Sequence, residues 1–115
     1  MSPTIVFDRQ GRLYAVLGSA GGSLIINDVA KTLIGIIDWH LDPQAAIALP
    51  NFGSRNGPTE LEKGTPVVAL APRLRAIGHA TRSIVDPSGV QAIVHTASGW
   101  IGGADPRREG VVNGD

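Results

Sequence analysis

The sequence contains no cysteine. Disulfides and thiolate metal sites are therefore excluded, and the compartment is left open. Neither sign of charge is in excess, with Lys and Arg totalling 10 and Asp and Glu also 10. No basic block and no patch mixing basic with aromatic residues occurs, so a nucleic-acid partner is not expected. No long apolar run is present either. The most apolar stretch, residues 24–41, is interrupted by Asn27, Asp28, Lys31, Asp38 and His40 and is too polar to span a bilayer. The first residues, Met1-Ser2-Pro3-Thr4-Ile5-Val6, lack a basic region followed by an apolar core and do not read as a signal peptide.

What is present is apolar for its size. The chain has 115 residues and hydrophobic residues make up 43%, with a mean hydropathy of +0.10. A disordered tail has the opposite balance. One domain is expected, with a small core and little stability to spare. Apolar content beyond what that core can bury points to a partner surface.

Thr4-Ile5-Val6-Phe7 is β-branched and aromatic and predicts a strand. Asp8-Arg9-Gln10-Gly11 predicts a turn, and Leu13-Tyr14-Ala15-Val16-Leu17 a second strand, giving a hairpin. The segment Gly18-Ser19-Ala20-Gly21-Gly22-Ser23 follows without a gap. Ile26, Val29, Ala30, Leu33, Ile36 and Ile37 then fall on one face of a helix. Asp42-Pro43 signals a helix start, with an Asp cap and Pro at the first position; that short helix stops near Pro50. Residues 51–58 read as a polar loop, and Thr59-Glu60-Leu61-Glu62 fits a short strand. Thr65-Pro66 repeats the cap-plus-proline signal for a helix to about Ile77, broken or kinked at Pro72 and stopped by Gly78. Residues 81–85 and 90–96 flank Asp86-Pro87-Ser88-Gly89 and predict a second hairpin. Residues 98–115 read as loop. The order β-β-α-α-β-α-β-β predicts an α+β fold.

The junction of strand, Gly21-Gly22 and helix is the strongest chemical signal. Glycines allow a sharp turn and close approach to a ligand. A helix start adds free N–H groups and partial positive charge, which suits a phosphate, a carboxylate or a developing oxyanion. On pattern alone, a plain tight turn capped by Ser23 is the commoner explanation. The Gly-Lys-Ser/Thr ending of a P-loop is absent. His40, His79 and His95 show no metal-ligand spacing. A Ser/His/Asp triad would have to assemble in space, and no nucleophile elbow supports one. If Met1 were removed, Ser2 would be an N-terminal nucleophile with its own amine as base; an ordinary strand-start serine is the simpler reading. Asp105-Pro106-Arg107-Arg108 could bind an anion, but arginine forks more often pin loops.

Taken together and in order, Met1-Ser2-Pro3-Thr4-Ile5-Val6, Gly18-Ser19-Ala20-Gly21-Gly22-Ser23, Asp42-Pro43-Gln44-Ala45-Ala46, Gly78-His79 and Gly103-Ala104-Asp105-Pro106-Arg107 resemble the small subunit of the gamma-glutamyltransferase (gamma-glutamyltranspeptidase) family. The resemblance runs along essentially the whole chain, which would be a single partial domain, residues 1–115. It implies the C-terminal part of a four-layer αββα sandwich of the N-terminal-nucleophile hydrolases, built here from two β-hairpins with intervening helices. In that family the precursor cuts itself into a large and a small subunit. The small subunit's new N-terminal threonine attacks a gamma-glutamyl amide such as glutathione, and the acyl group passes to water or an amino acid. No metal or organic cofactor is implied. The family's paired glycines, whose N–H groups hold the oxyanion, fall on Gly21 and Gly22. Its substrate-binding serine pair falls immediately upstream of Met1, and its catalytic threonine lies further upstream. Ala20 stands where the family has proline, Leu24 where arginine commonly follows Gly-Gly-Ser, and Asn51 where it has arginine.

The resemblance therefore implies an amide-cleaving enzyme to which this chain contributes an oxyanion turn, inactive by itself. Its partners would be the remainder of the small subunit, the large subunit and a gamma-glutamyl substrate, in the periplasm or outside the cell. Related amide acylases share the superfamily. Two other readings stand beside it: a non-catalytic module that self-associates, and an enzyme using Ser2.

Overall fold

Strand β1 (Thr4–Phe7) and strand β2 (Leu13–Gly18) form the expected antiparallel hairpin, in register Thr4↔Leu17, Ile5↔Val16 and Val6↔Ala15. Its turn is held by Asp8, whose carboxylate accepts the Gln10 and Arg12 N–H groups at 2.9 Å each. These details come from a computed structural model that describes residues 1–114.

The chain then passes through a 3-10 turn, Gly22–Leu24, into helix α1 (Ile25–Ile37). Helix α2 (Pro43–Ala48) follows, with the Asp42 side chain accepting the Ala45 N–H at 3.0 Å. This cap and the Pro43 start are as expected. Strand β6 (Gln91–Thr96) pairs with β2, and strand β7 (Gly99–Ala104) pairs with β6. The resulting four-stranded antiparallel sheet has the order β1-β2-β6-β7. Both helices lie on one of its faces. Ala15, Leu17, Ala92 and Val94 from the sheet meet Val29, Ile36, Ala46 and Ile47 from the helices. The sheet's other face leaves Ile5, Val16 and Ile93 in register across three strands, respectively 60%, 40% and 49% exposed.

A second sheet has the order β3-β4-β5: strand β3 (Phe52–Gly53), strand β4 (Thr59–Glu62) and strand β5 (Thr81–Ile84). Strands β3 and β4 are antiparallel, and β4 and β5 are parallel. The crossover between β4 and β5 carries a 3-10 turn, Pro66–Leu70, and helix α3 (Ala71–Ala76). The expected break at Pro72 is this change of helix type, with Pro72 in the first turn of α3, where its missing N–H costs nothing. Gly78, at φ +97°, ends the segment.

The α+β class holds. The second hairpin does not sit where the sequence suggested. Residues 81–85 and 90–96 do not pair; β5 belongs to the small sheet and β6 to the large one. Asp86-Pro87-Ser88-Gly89 is therefore not a hairpin turn but the crossing between sheets, with Asp86 and Ser88 buried. Besides the short β3–β4 hairpin of the small sheet, the chain forms a hairpin β6–β7, in register His95↔Trp100 and Gln91↔Ala104. Its second strand arises from residues read as loop. Glycine is poor strand material, yet Gly103 is needed where it stands. A Cβ there would lie 2.8 Å from the backbone of Pro43 and Gln44, so only glycine lets α2 lie against β7.

Candidate functional site

The end of β2 delivers the chain into the turn. Gly21 has φ +141° and Gly22 φ +87°, two consecutive values that L side chains adopt only with strain. Neither N–H has a hydrogen-bond partner among the described residues. Gly22 is exposed and has open space on its Cβ side; Gly21 is half-buried. The turn therefore presents two donors without a partner among the described residues at the start of a helical segment, Gly21 as its cap and Gly22 as its first residue. Ser23 does not cap that segment, contrary to the plain-turn reading. Its Oγ instead accepts a hydrogen bond from Arg55 Nη1 at 2.8 Å.

The turn rests on the crossing between the sheets. A Cβ on Gly21 would lie 3.1 Å from the Pro87 carbonyl oxygen and 3.2 Å from Ser88 Cα. Ala20 N–H donates to the Gly89 carbonyl at 3.4 Å. An open groove of about 630 Å³ runs along the outer sheet face to this point, lined by Val16, Gly18, Ala20, Gly89, Ile93 and Val112 among others.

Beneath the crossing lies a buried polar network of which sequence reading singled out only Asp105 and Arg107. Ser88 Oγ donates to Asp105 Oδ2 at 2.6 Å and accepts from Asn51 Nδ2 at 2.8 Å. Asp105 Oδ2 also accepts the Val90 N–H at 3.1 Å. Asn51 N–H donates to Glu62 Oε2 at 2.7 Å. Arg107 joins the parts: Nε and Nη2 donate to Glu62, Nη1 to Asp105, and Nη1 and Nη2 also to the carbonyls of Ile47 and Leu49. Burial alone would push the Glu62 carboxyl up, but the Arg107 guanidinium and the Asn51 N–H outweigh it and hold it below its ordinary value. Asp105 is likewise depressed, its burial outweighed by the Ser88 hydroxyl and the Arg107 and Val90 N–H groups. Asp28 goes the other way, raised to about 7 by burial and then by the neighbouring charge of Asp86. Lys31, its Nζ donating to the carbonyls of Ile47 and Leu49, is lowered to about 8 by burial and then by Arg107. The structural reading of the Asp105–Arg108 segment thus holds for Arg107, whose fork is spent on fixed partners. Glu62 and Asn51 looked like a strand residue and a loop residue. Asn51 stands out only as a departure from the arginine of the resembled family, and Glu62 gives no signal beyond its place in a short strand.

The other candidates are not brought together. His79 meets Thr59 Oγ1 at 3.1 Å, His95 packs edge-on against Trp100, and His40 follows α1 on the surface. Among the described residues no group of three His, Cys, Asp or Glu is placed to hold a metal. Ser2 lies beside Gly18, its carbonyl accepting from Thr4 Oγ1 at 3.3 Å.

This arrangement, with helices on one face of an antiparallel sheet and a glycine turn at the strand end, has counterparts among solved structures. It is similar to a gamma-glutamyltranspeptidase from Pseudomonas nitroreducens, with a TM-score of 0.87 at 28% identity, covering 100% of this chain and 62% of that one. It is similar also to a gamma-glutamyltranspeptidase from Helicobacter pylori, with a TM-score of 0.82 at 30% identity, covering 94% and 61%. A family model described as gamma-glutamyltranspeptidase matches residues 1–114, and the chain belongs to that family. Among curated relatives, the glutathione hydrolase proenzyme of Bacillus subtilis (strain 168) is 31% identical over 99% of this chain. The acylase ACY 1 proenzyme of Pseudomonas sp. (strain SE83) is 30% identical over 90%. The chain spans only 20% and 18% of those two relatives' lengths. No helix among the described residues is long and apolar enough to cross a membrane.

Proposed function

We propose that this chain supplies the oxyanion-binding turn of a gamma-glutamyl amide hydrolase or transferase. The Gly21 and Gly22 N–H groups would hold the negative oxygen of the tetrahedral intermediate formed when a threonine outside residues 1–115 attacks the amide carbonyl. The observation that carries this reading is the pair of N–H donors, without a partner among the described residues, at successive positive-φ glycines at the start of a helical segment. Such donors act on charge that develops in the transition state and cost no reorganisation when it appears. The nucleophile, the groups that hold the gamma-glutamyl moiety and the rest of the fold would come from the remaining four-fifths or so of a relative-sized protein. By itself the chain would be inactive. The family resemblance extends the proposal to a periplasmic or extracellular setting.

A second reading keeps the turn and changes the acyl group, since one curated relative is an acylase. A third is a self-associating module, favoured by the apolar outer face around Ile5, Val16 and Ile93. In the enzyme reading that same face is covered by other parts of the protein. Light scattering on the isolated chain separates these, because a stable monomer removes the self-associating module.

The functional test is Gly22→Pro in the longer protein that carries this chain, assayed on a gamma-glutamyl anilide. Losing one donor costs about 10²–10³ in kcat. Proline also forces φ away from +87°, so Gly22→Ala, which keeps the N–H, serves as the companion. Proline should fall well below alanine. Normal turnover in folded Gly22→Pro sinks the assignment.

A further inference from the structure

Gly21 and Gly22 have no side chains to hold them, so something else must fix the direction of their N–H groups. We propose that Ser88 is a positioning residue for this turn, its buried hydroxyl fixing the Pro87–Gly89 ledge on which Gly21 rests. The proposal rests on the oxyanion reading above and deepens it.

The ledge lies close beneath the turn: a Cβ on Gly21 would stand 3.1 Å from Pro87 O and 3.2 Å from Ser88 Cα, so one of them would have to give. The position of the ledge therefore limits where Gly21 can lie. Ser88 is 0% exposed, and its hydroxyl uses both roles: it donates to Asp105 Oδ2 and accepts from Asn51 Nδ2. A buried hydroxyl with donor and acceptor both satisfied sits in a narrow well, because hydrogen bonds strengthen in a low dielectric. Its partners are themselves fixed. Asp105 is held by the Val90 and Arg107 N–H groups, and Asn51 by Glu62. From the outside, Arg108 Nε donates to the Pro87 carbonyl at 2.7 Å, so the ledge is pinned on both sides. An alanine would fill most of the space at residue 88 but would leave Asn51 Nδ2 without an acceptor. The hydroxyl thus adds direction as well as satisfying two buried partners. Oxyanion donors must lie about 2.7–3.1 Å from the oxygen they stabilise, so a shift of a few tenths of an ångström in the ledge is felt in the reaction.

The test uses two variants and two readouts. Ser88→Ala removes the inner clamp. Arg108→Ala removes the outer one from an exposed position and stays informative should Ser88→Ala fail to fold. In the longer protein, Ser88→Ala is expected to lower kcat about tenfold with KM unchanged, since a misaimed oxyanion donor weakens the transition state and not the ground state. Arg108→Ala should move in the same direction by less. In the ¹⁵N-glycine-labelled chain, the Gly21 and Gly22 amide signals should shift in both variants and stay in place in Ile36→Val, a core change in α1. Glycine signals that stay put in both variants, or that move equally in Ile36→Val, overturn the positioning role. Signals that move while kcat does not would leave the positioning intact and sink the oxyanion reading instead.

Discussion

Replacing Arg107 by methionine tests how much of the fold hangs on the buried network. Methionine keeps the apolar stem and deletes the guanidinium. In the native chain that group is 13% exposed, and its partners Glu62 and Asp105 are 10% and 1% exposed. Removing one member of such a buried pair leaves charge uncompensated and costs about 3–5 kcal/mol. A 115-residue domain has about 6–17 kcal/mol in all, at roughly 0.05–0.15 kcal/mol per residue. Arg107→Met should therefore remain folded but lose about 2 M from its urea midpoint, given a slope of about 2 kcal/mol/M. The pH dependence carries the stronger check. The Arg107 guanidinium is the main group holding Glu62 below its ordinary value against burial, so the stability that carboxylate provides is present above its unfolded value and is lost as pH falls through the folded one. Without the guanidinium, burial pushes Glu62 up, and its protonation relieves the variant as acid is added; Asp105 keeps the Ser88 hydroxyl and the backbone N–H groups of residues 90 and 107. The deficit should be full at pH 7 and much smaller at pH 4, followed by circular dichroism in urea at both. A loss below about 1 kcal/mol at pH 7, or an equal loss at both pH values, refutes the argument.

Two further perturbations follow from the same geometry. Asp28 is raised from 3.8 to about 7, so the folded state favours its protonated form; that stability is complete below about pH 4 and is lost as pH rises towards 7. Asp28→Asn should remove up to about 4 kcal/mol of that slope, at 1.36 kcal/mol per pKa unit, seen as a flatter Tm between pH 5 and pH 8; an unchanged slope would show that Asp28 is not the titrating group. Gly103→Ala drives a Cβ into the backbone of Pro43 and Gln44 and should cost about 1–3 kcal/mol in a thermal melt; a wild-type Tm would mean that α2 does not lie against β7 as described.

Local chemistry made much of this structure legible in sequence. The β1–β2 hairpin followed from β-branched runs around a Gly11 turn, α1 from its apolar spacing, and α2 from Asp42-Pro43. The Gly21-Gly22 junction stood out because unusual backbone needs glycine. What stayed hidden depends on partners far along the chain. Strand β7 shows no apolar alternation, because Gly103 answers to α2 and not to strand propensity. Asp86-Pro87-Ser88-Gly89 has the composition of a surface turn, and only Asn51 and Asp105, from other elements, make its burial possible. The same holds for the candidate site: its glycines stand out in the sequence, whereas the buried residues beneath them do not.

The strand order also has a consequence for the nascent chain. Strand β2 is flanked by β1 on one edge and by β6 on the other, and Ala15 faces Val94. The first edge can close at once; the second must wait for a stretch of chain made much later. Until then the early hairpin carries an open edge with unpaired N–H and C=O groups beside apolar side chains, a template for pairing with another molecule. Contacts this distant in sequence also slow folding, because closure entropy is lost before the contact forms. Growth of this polypeptide on the ribosome is thus a period of vulnerability, one in which a chaperone resting on β2 would protect the product without ever touching the finished protein.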